Sequence, residues 1–252
     1  MGKILAIANQ KGGVGKTTTA VNLASCLAAA ENITCLIDMD PQANSTSGVG
    51  LEKTKIELSI YDVLLGHAPI ANIVRSTELP YFNIVPSSIS LVGAEVELVN
   101  ALSRETRLKK ALAQIVDDYQ YLIIDCPPSL GLLTINALTA ADSLIIPIQC
   151  EYYALEGLGQ LINTIKLVQE HLNPKLQIGG VLLTMYDSRL NLARQVEQEV
   201  RKFFDGKVYS TVIPRNVRLS EAPSFGKPII LYDILSTGAE RYMAFTKEVL
   251  SQ

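Results

Sequence analysis

Asn9-Gln10-Lys11-Gly12-Gly13-Val14-Gly15-Lys16-Thr17-Thr18-Thr19 stands between the apolar run Ile4-Leu5-Ala6-Ile7-Ala8 and the helix-like Ala20-Val21-Asn22-Leu23-Ala24. Strand, glycine-rich turn and helix in that order build a phosphate site. Gly12, Gly13 and Gly15 let the backbone turn with its N–H groups facing inward, and a helix starting near Lys16 adds its positive dipole end to the same spot. Lys16 is placed to meet β- and γ-phosphates, and the Thr17 hydroxyl to ligate Mg²⁺. The stretch Lys11 to Thr18, Val14 included, is the expected nucleotide cradle.

Working outward, Thr34-Cys35-Leu36-Ile37-Asp38 reads as a short buried strand ending in acid, followed by Met39-Asp40-Pro41-Gln42. If the strand continues, alternation puts Asp38 and Asp40 on one side, at the sheet edge where doubly wound folds hold ligands. A carboxylate near a triphosphate faces either Mg²⁺ or the attacking water, because bare approach to phosphate is repulsive. Asp38 is therefore a further candidate metal ligand. Tyr121-Leu122-Ile123-Ile124-Asp125 has the same design, four apolar or aromatic residues and a terminal carboxylate suited to the water shell of Mg²⁺. Taken alone, Asp125 fits a helix cap equally well; the glycine-rich loop upstream favours the metal. Pro127, Pro128 and Gly131 then form a loop able to respond to a γ-phosphate.

Further units repeat the same alternation. Phe82 to Pro86 reads as an edge strand ended by proline. A helix is expected around Ile60 to Leu65, a second near Ile70 to Val74, and one amphipathic helix over Leu91 to Tyr119 with Arg104, Arg107, Lys109 and Lys110 on its wetter side. Strands at 143–148, 180–184 and 208–213 alternate with helices over Ala154 to Leu172, Leu190 to Phe204 and Gly238 to Leu250. The expectation is an α/β fold, one domain over all 252 residues, with a mostly parallel twisted sheet and helices on both faces.

Composition narrows the class. The hydrophobic share of 48% suffices for a sheet covered on both sides, and no apolar run reaches the about 18 residues of a membrane span. Met1-Gly2-Lys3 passes straight into a strand without a signal pattern, so the cytoplasm is expected. Cys26, Cys35, Cys126 and Cys150 contain no C-x-x-C pair, which points to buried thiols rather than zinc or iron–sulfur ligands. Net charge is −3, unevenly spread. Arg189 to Lys227 holds eight basic and four acidic residues, a net +4 that leaves −7 for the rest. An acidic chain with one basic quarter is built to show a positive face, and phosphate neutralisation suits non-specific binding of duplex DNA. Arg189 and Arg218, at loops on the ligand edge of the sheet, are the candidate DNA contacts.

The loop departs from G-x-x-x-x-G-K-[ST], with Gln10 where the first glycine belongs. Lys-Gly-Gly-Val-Gly-Lys-Thr instead resembles the deviant Walker A loop of the ParA and MinD class of ATPases. Asp38-Met39-Asp40-Pro41-Gln42, Asp125-Cys126-Pro127-Pro128-Ser129 and Ile213 to Pro228 extend the match, the last most specifically, to ParA/Soj-type chromosome or plasmid partition ATPases. The resemblance implies the P-loop NTPase fold, ATP and Mg²⁺ as cofactors, and a homodimer that sandwiches two ATP molecules. Lys11 would reach the partner's nucleotide, Asp40 position the hydrolytic water, Asp125 support Mg²⁺ through water, and Pro214 and Asn216 lie against adenine. A centromere-binding ParB protein would stimulate hydrolysis, and the protein would associate with the nucleoid. Two other classes share the loop: MinD-like membrane-positioning ATPases, whose basic amphipathic tail is poorly matched by Arg241 to Gln252, and biosynthetic ligases of the dethiobiotin synthetase or cobyrinate amidation kind.

Overall fold

Alternate residues of the central strands enter two different cores, which is the geometric reason that the strands read as unbroken apolar runs. The structure is a computed structural model that describes residues 2–151 and 158–252. Its elements run β1 (Lys3–Ile7), α1 (Lys16–Ala29), β2 (Thr34–Asp38), α2 (Asn44–Gly48), α3 (Ile60–Leu65), β3 (Arg75–Ser76), β4 (Phe82–Val85), α4 (Leu91–Glu97), α5 (Arg107–Leu112), β5 (Tyr121–Asp125) and α6 (Leu132–Ala140). They continue with β6 (Ser143–Gln149), α7 (Leu158–His171), β7 (Gln177–Tyr186), α8 (Asn191–Phe204), β8 (Val208–Pro214), α9 (Val217–Glu221), α10 (Ile229–Tyr232) and α11 (Thr237–Leu250).

The strands form one sheet in the order β3-β4-β2-β5-β1-β6-β7-β8, parallel except for the antiparallel pairing of β3 on β4. On one face Leu5, Ile7, Leu36, Ile123 and Leu182 pack against Leu23 and Leu27 of α1 and Tyr242 and Phe245 of α11. On the other, Ile4, Ala6, Ile37, Leu122 and Ile146 meet Leu64, Leu112, Leu133, Leu161 and Val196 from α3, α5, α6, α7 and α8. Each fully buried leucine contributes about 1.5–3 kcal/mol relative to exposure, as an upper estimate. All four cysteines are buried and free, as expected.

Three local expectations are corrected. The strand at Phe82 to Pro86 is not outermost, because β3 folds back beside it, with the Thr77 hydroxyl donating to the Phe82 carbonyl at 2.9 Å. The helix expected over Leu91 to Tyr119 breaks: Ala101 is extended and Ser103 adopts φ 54°. Helix α6 explains the break, since Asn136 accepts from the Leu108 N–H at 3.1 Å and donates to the Arg104 carbonyl at 2.8 Å. Lys109 and Lys110 are exposed, but Arg104 and Arg107 are only partly so. Near Ile70 there is a single 3-10 turn, Ile70–Asn72. Of the helix expected over Ala154 to Leu172, residues 154–157 lie outside the described residues.

Strand register decides where the polar groups of the sheet collect. Parallel pairing sets Ile7 and Asp38 on either side of Asp125 at the carboxyl edge of the sheet, so β1, β2 and β5 deliver the loop and both acids to one place.

Candidate functional site

Beyond β1 the chain is fixed by Asn9, whose side-chain amide donates to the Pro147 carbonyl at 2.7 Å and whose oxygen accepts from the Lys11 N–H at 3.0 Å. Gly13 and Gly15 have φ 74° and 86°, a conformation that side chains resist. Open space lies in front of Gly12 and Gly13. Lys16 is buried, and its ammonium curls back to donate to the Lys11 carbonyl at 2.9 Å, closing the loop into a ring. Burial pulls the Lys16 pKa down, against the opposing pull of Asp125 and Asp40. The amino terminus of α1 has no side-chain cap, so its first N–H groups remain for an anion. Behind the loop, the Thr184 hydroxyl on β7 donates to the Val14 carbonyl at 2.9 Å.

The acids sit directly beside this ring. Asp125 is wholly buried; Ser45 donates to its Oδ2 at 2.8 Å, while Oδ1 is buried without any hydrogen-bond partner. Burial pushes its pKa up, and the neighbouring charge of Asp38 adds to that, partly offset by the Ser45 and Thr17 hydroxyls. Asp38 is pushed the same way by burial. Its oxygens are already occupied: Oδ1 accepts from the Asp40 N–H at 3.1 Å, and Oδ2 from the Thr46 N–H and hydroxyl at 2.8 and 2.7 Å. β2 ends at Asp38, so Asp40 lies on the loop beyond, where its Oδ1 accepts from the Gln42 N–H at 2.9 Å. An orphaned, buried carboxylate oxygen next to a threonine hydroxyl and an open ring of N–H groups fits a magnesium nucleotide. Thr17, Asp125, Lys16 and the loop residues 11–18 are the ones that would hold it.

A cavity of about 520 Å³ opens from Gly15 and Thr18 toward Pro214, Asn216, Met185 and Tyr242. Asn216 caps α9 by accepting from the Leu219 N–H at 3.2 Å. That use of Oδ1 leaves its amide N–H groups for a ligand. The cavity is largely apolar at its walls, as a purine base requires.

The other expected residues are held by partners from the same chain. Lys11 is 3.7 Å from Glu151, which also receives Arg215 at 3.1 Å. Arg189 makes a two-pronged pair with Asp187, at 2.9 and 2.7 Å, and this holds the Asp187 carboxyl down at about 2. Arg218 bridges Glu221 at 3.0 Å and Asp233 at 3.3 Å. Both arginines are exposed, Arg189 on the loop after β7 and Arg218 in α9, the short helix that follows β8.

Sequence reasoning missed Ser45, Thr46, Thr184, Met185 and Glu151. The Asn44-Ser45-Thr46-Ser47 run was the visible signal: four small polar residues that begin four positions after Asp40. Nothing in the sequence marks Met185, whose φ of 48° lets β7 turn at the cavity wall.

A glycine ring on a helix terminus, with a buried strand-end acid beside it in a mostly parallel sheet, defines a P-loop ATPase. A family model described as an AAA domain matches residues 2–178. The sporulation initiation inhibitor protein Soj of Bacillus subtilis is 62% identical over 99% of this chain and 98% of its own length. The chromosome partitioning protein ParA of Myxococcus xanthus is 58% identical over 100% of this chain and 89% of its own. Two solved structures share the fold throughout. Cobyrinic acid a,c-diamide synthase from Mycobacterium smegmatis, with bound ADP and magnesium, matches at TM-score 0.88 and 38% identity, covering 99% of this chain and 94% of that one. A putative plasmid partition protein from Borrelia burgdorferi, bound to AMPPNP, matches at TM-score 0.85 and 25% identity, over 100% and 99% of the two chains. The chain belongs to the ParA/Soj family of partitioning ATPases.

Proposed function

We propose that this chain is a nucleotide switch in chromosome or plasmid partition, in which ATP and Mg²⁺ join two copies and the pair grips duplex DNA until hydrolysis parts them. The observation that carries the reading is the orphaned Asp125 oxygen beside Thr17 and the open loop, which supports a magnesium triphosphate site. Bound there, Mg²⁺ supplies charge neutralisation on the phosphates. Lys16 and the loop N–H groups hold the phosphate oxygens, Thr17 and, through water, Asp125 hold the metal, and Pro214 and Asn216 line the base. Asp40 orients the attacking water and accepts its proton as the bond between β- and γ-phosphate breaks. Asp38, with both oxygens engaged, positions Asp40 through its N–H. Lys11 exchanges Glu151 for the nucleotide of a second copy.

Joined subunits double the phosphate contacts of Arg189 and Arg218, so affinity for DNA rises steeply with assembly. A ParB-type centromere-binding protein is the expected stimulating partner, and the nucleoid the expected location. The test is duplex binding at two salt concentrations, with ATP and with ADP, for wild type, Arg189→Glu and Arg218→Glu. A steep salt slope seen with ATP alone and lost in both variants is expected; equal binding without nucleotide refutes the switch.

A membrane role is disfavoured because the apolar side of α11, Tyr242, Phe245 and Val249, is packed into the core. No helix among the described residues is long and apolar enough to cross a membrane. The similarity to a cobyrinic acid a,c-diamide synthase keeps a ligase in view. ATP turnover that rises on adding a cobyrinic acid, and not on adding DNA, identifies that activity instead.

A further inference from the structure

A second cavity, of about 630 Å³, opens at the edge of the sheet opposite the nucleotide cradle. The first residues of β1, β6 and β7, namely Lys3, Ser143 and Gln177, line it together with Lys207, directly before β8. From Gln177 to Thr184, whose hydroxyl holds the glycine loop, β7 covers about 23 Å at about 3.3 Å per residue, so the two cavities are separate sites.

Its wall is built around Tyr209. That residue is 4% exposed, with its ring edge-on to Phe245 at 4.8 Å between centroids. It lies so close to the backbone of β7 that a side chain at Gly180 would collide with it. The strand bulges at the same place: Leu144 pairs with Ile178 but Ile145 with Gly180, which leaves Gly179 as the extra residue. Burial pushes the Tyr209 hydroxyl up to about 12, so it stays a donor. Its partner is Gln252, at a limiting 3.5 Å. A buried hydroxyl so weakly met gains from an acceptor brought by a ligand.

The charges around the cavity say what that ligand is. Lys3, Lys175 and Lys207 line it. Lys175 and Lys207 are exposed and Lys3 is half-buried, so their ammonium groups are open to an incoming anion, and none of the three is in an ion pair among the described residues. Two acids face the same space, and the backbone occupies both. Asp142 Oδ2 accepts from the Ile4 N–H at 2.8 Å, and the two oxygens of Glu248 accept from the Ser210 and Thr211 N–H groups at 2.8 and 2.7 Å. Donors therefore outnumber free acceptors. No arginine lines the cavity among the described residues. The planar fork that recognises a carboxylate is thus missing, whereas ammonium point charges suit the tetrahedral oxygens of phosphate.

We propose that this cavity is a second anion site, for a small molecule carrying two adjacent phosphate groups, with Lys3, Lys175 and Lys207 around the phosphates and Tyr209 at the wall. Three ammonium groups match the charge of a diphosphate better than that of a single phosphate, and the volume falls in the range of small-molecule sites. The site does not rest on the nucleotide reading of the cradle.

Inorganic pyrophosphate is the probe, titrated into the full chain and followed by NMR of isoleucine and valine methyl groups. Ile178 and Val208, which line the cavity, are expected to shift, while Val14 in the glycine loop reports the cradle separately. Lys175→Ala and Lys207→Ala should each weaken the response of Ile178 and Val208 about tenfold, with the response of Val14 and the melting temperature unchanged. Lys109→Ala and Lys110→Ala, at exposed lysines elsewhere, should alter neither response. Orthophosphate should bind more weakly than pyrophosphate, and sodium chloride at matched ionic strength should not reproduce the shifts. Shifts confined to Val14 up to about 10 mM pyrophosphate overturn the proposal and leave the cradle standing. So does an equal loss in the Lys109→Ala and Lys110→Ala variants, orthophosphate that binds as tightly as pyrophosphate, or a short DNA duplex that displaces pyrophosphate, which would make these lysines part of a nucleic-acid face.

Discussion

The two charged regions of this molecule solve opposite problems. At the sheet edge, Asp38 and Asp125 are buried side by side, and no cation pairs with either among the described residues; hydroxyls and N–H groups hold them, and one oxygen of Asp125 has no partner. On the loop after β7 and in α9, Arg189 and Arg218 are in water and already paired with Asp187, Glu221 and Asp233. A buried charge left unmatched is costly, so the fold carries it only where a ligand completes it. Surface pairs cost little to form and little to exchange. The interior site is thus fixed in place by the fold, whereas the surface cations can exchange partners at little cost.

That contrast breaks most easily at Asp40. Asp40→Ala should lower the hydrolysis rate constant by about 10²–10⁴-fold, the range for removing a positioned proton acceptor, and leave ATP affinity nearly unchanged. Single-turnover hydrolysis beside nucleotide titration separates the two. Unchanged turnover removes Asp40 from the chemistry and leaves the acid pair without a water-directing member.

The buried acids also make a pH prediction. Both hold their protons to higher pH in the folded chain than in the unfolded one, because burial disfavours their charge. From the ordinary carboxylate range, about pH 4, up to their raised values, the folded state therefore binds more protons, and their contribution to stability falls as pH rises. In metal-free protein, melting temperature should decline across that window relative to a variant with Asp125→Asn. Adding Mg²⁺ and nucleotide should reverse the trend and release protons, visible as a buffer-dependent heat in calorimetry. A proton-neutral binding heat shows that these carboxyls were ionised already.

The same contrast explains why the sheet edge was legible in the sequence and the rest was not. Gly12, Gly13, Gly15, Lys16, Asp38 and Asp125 belong to local strand-and-loop patterns that fix their geometry, so the parallel α/β class and the site could be read together. Ser45 and Thr184 act across the fold, through a bond to Asp125 and a bond to the Val14 carbonyl, and no local pattern encodes such a meeting. The stretch from Leu91 to Tyr119 misled for a related reason: its periodicity is helical at both ends, but Asn136 on α6 takes the backbone groups of residues 104 and 108, a tertiary override of local preference.

A smaller effect measures how far the packed face supports the cradle. Tyr242 is buried and lines the cavity that opens from Gly15 and Thr18, with its hydroxyl 3.2 Å from that of Thr19 on α1. Tyr242→Phe removes one buried hydrogen bond and should cost about 0.5–1.5 kcal/mol in denaturant unfolding, with ATP affinity altered only slightly. A large loss of affinity at equal stability would mean that the hydroxyl serves the ligand rather than the helix pair.

The gentlest probe falls on the surface region. Asp187→Ala releases Arg189 from its two-pronged pair without touching the core, so melting temperature should stay where it is. Duplex affinity with ATP should nonetheless rise, because the guanidinium no longer has to leave an intramolecular carboxylate to reach a phosphate. If Arg189 becomes a phosphate contact only after that exchange, the salt dependence should steepen in the variant by up to about one unit of slope per subunit. In Asp187→Ala combined with Arg189→Glu the gain should vanish. A rise that survives the double change would place the cause in the added net charge of the whole face, and would strip Arg189 of any particular role in holding DNA.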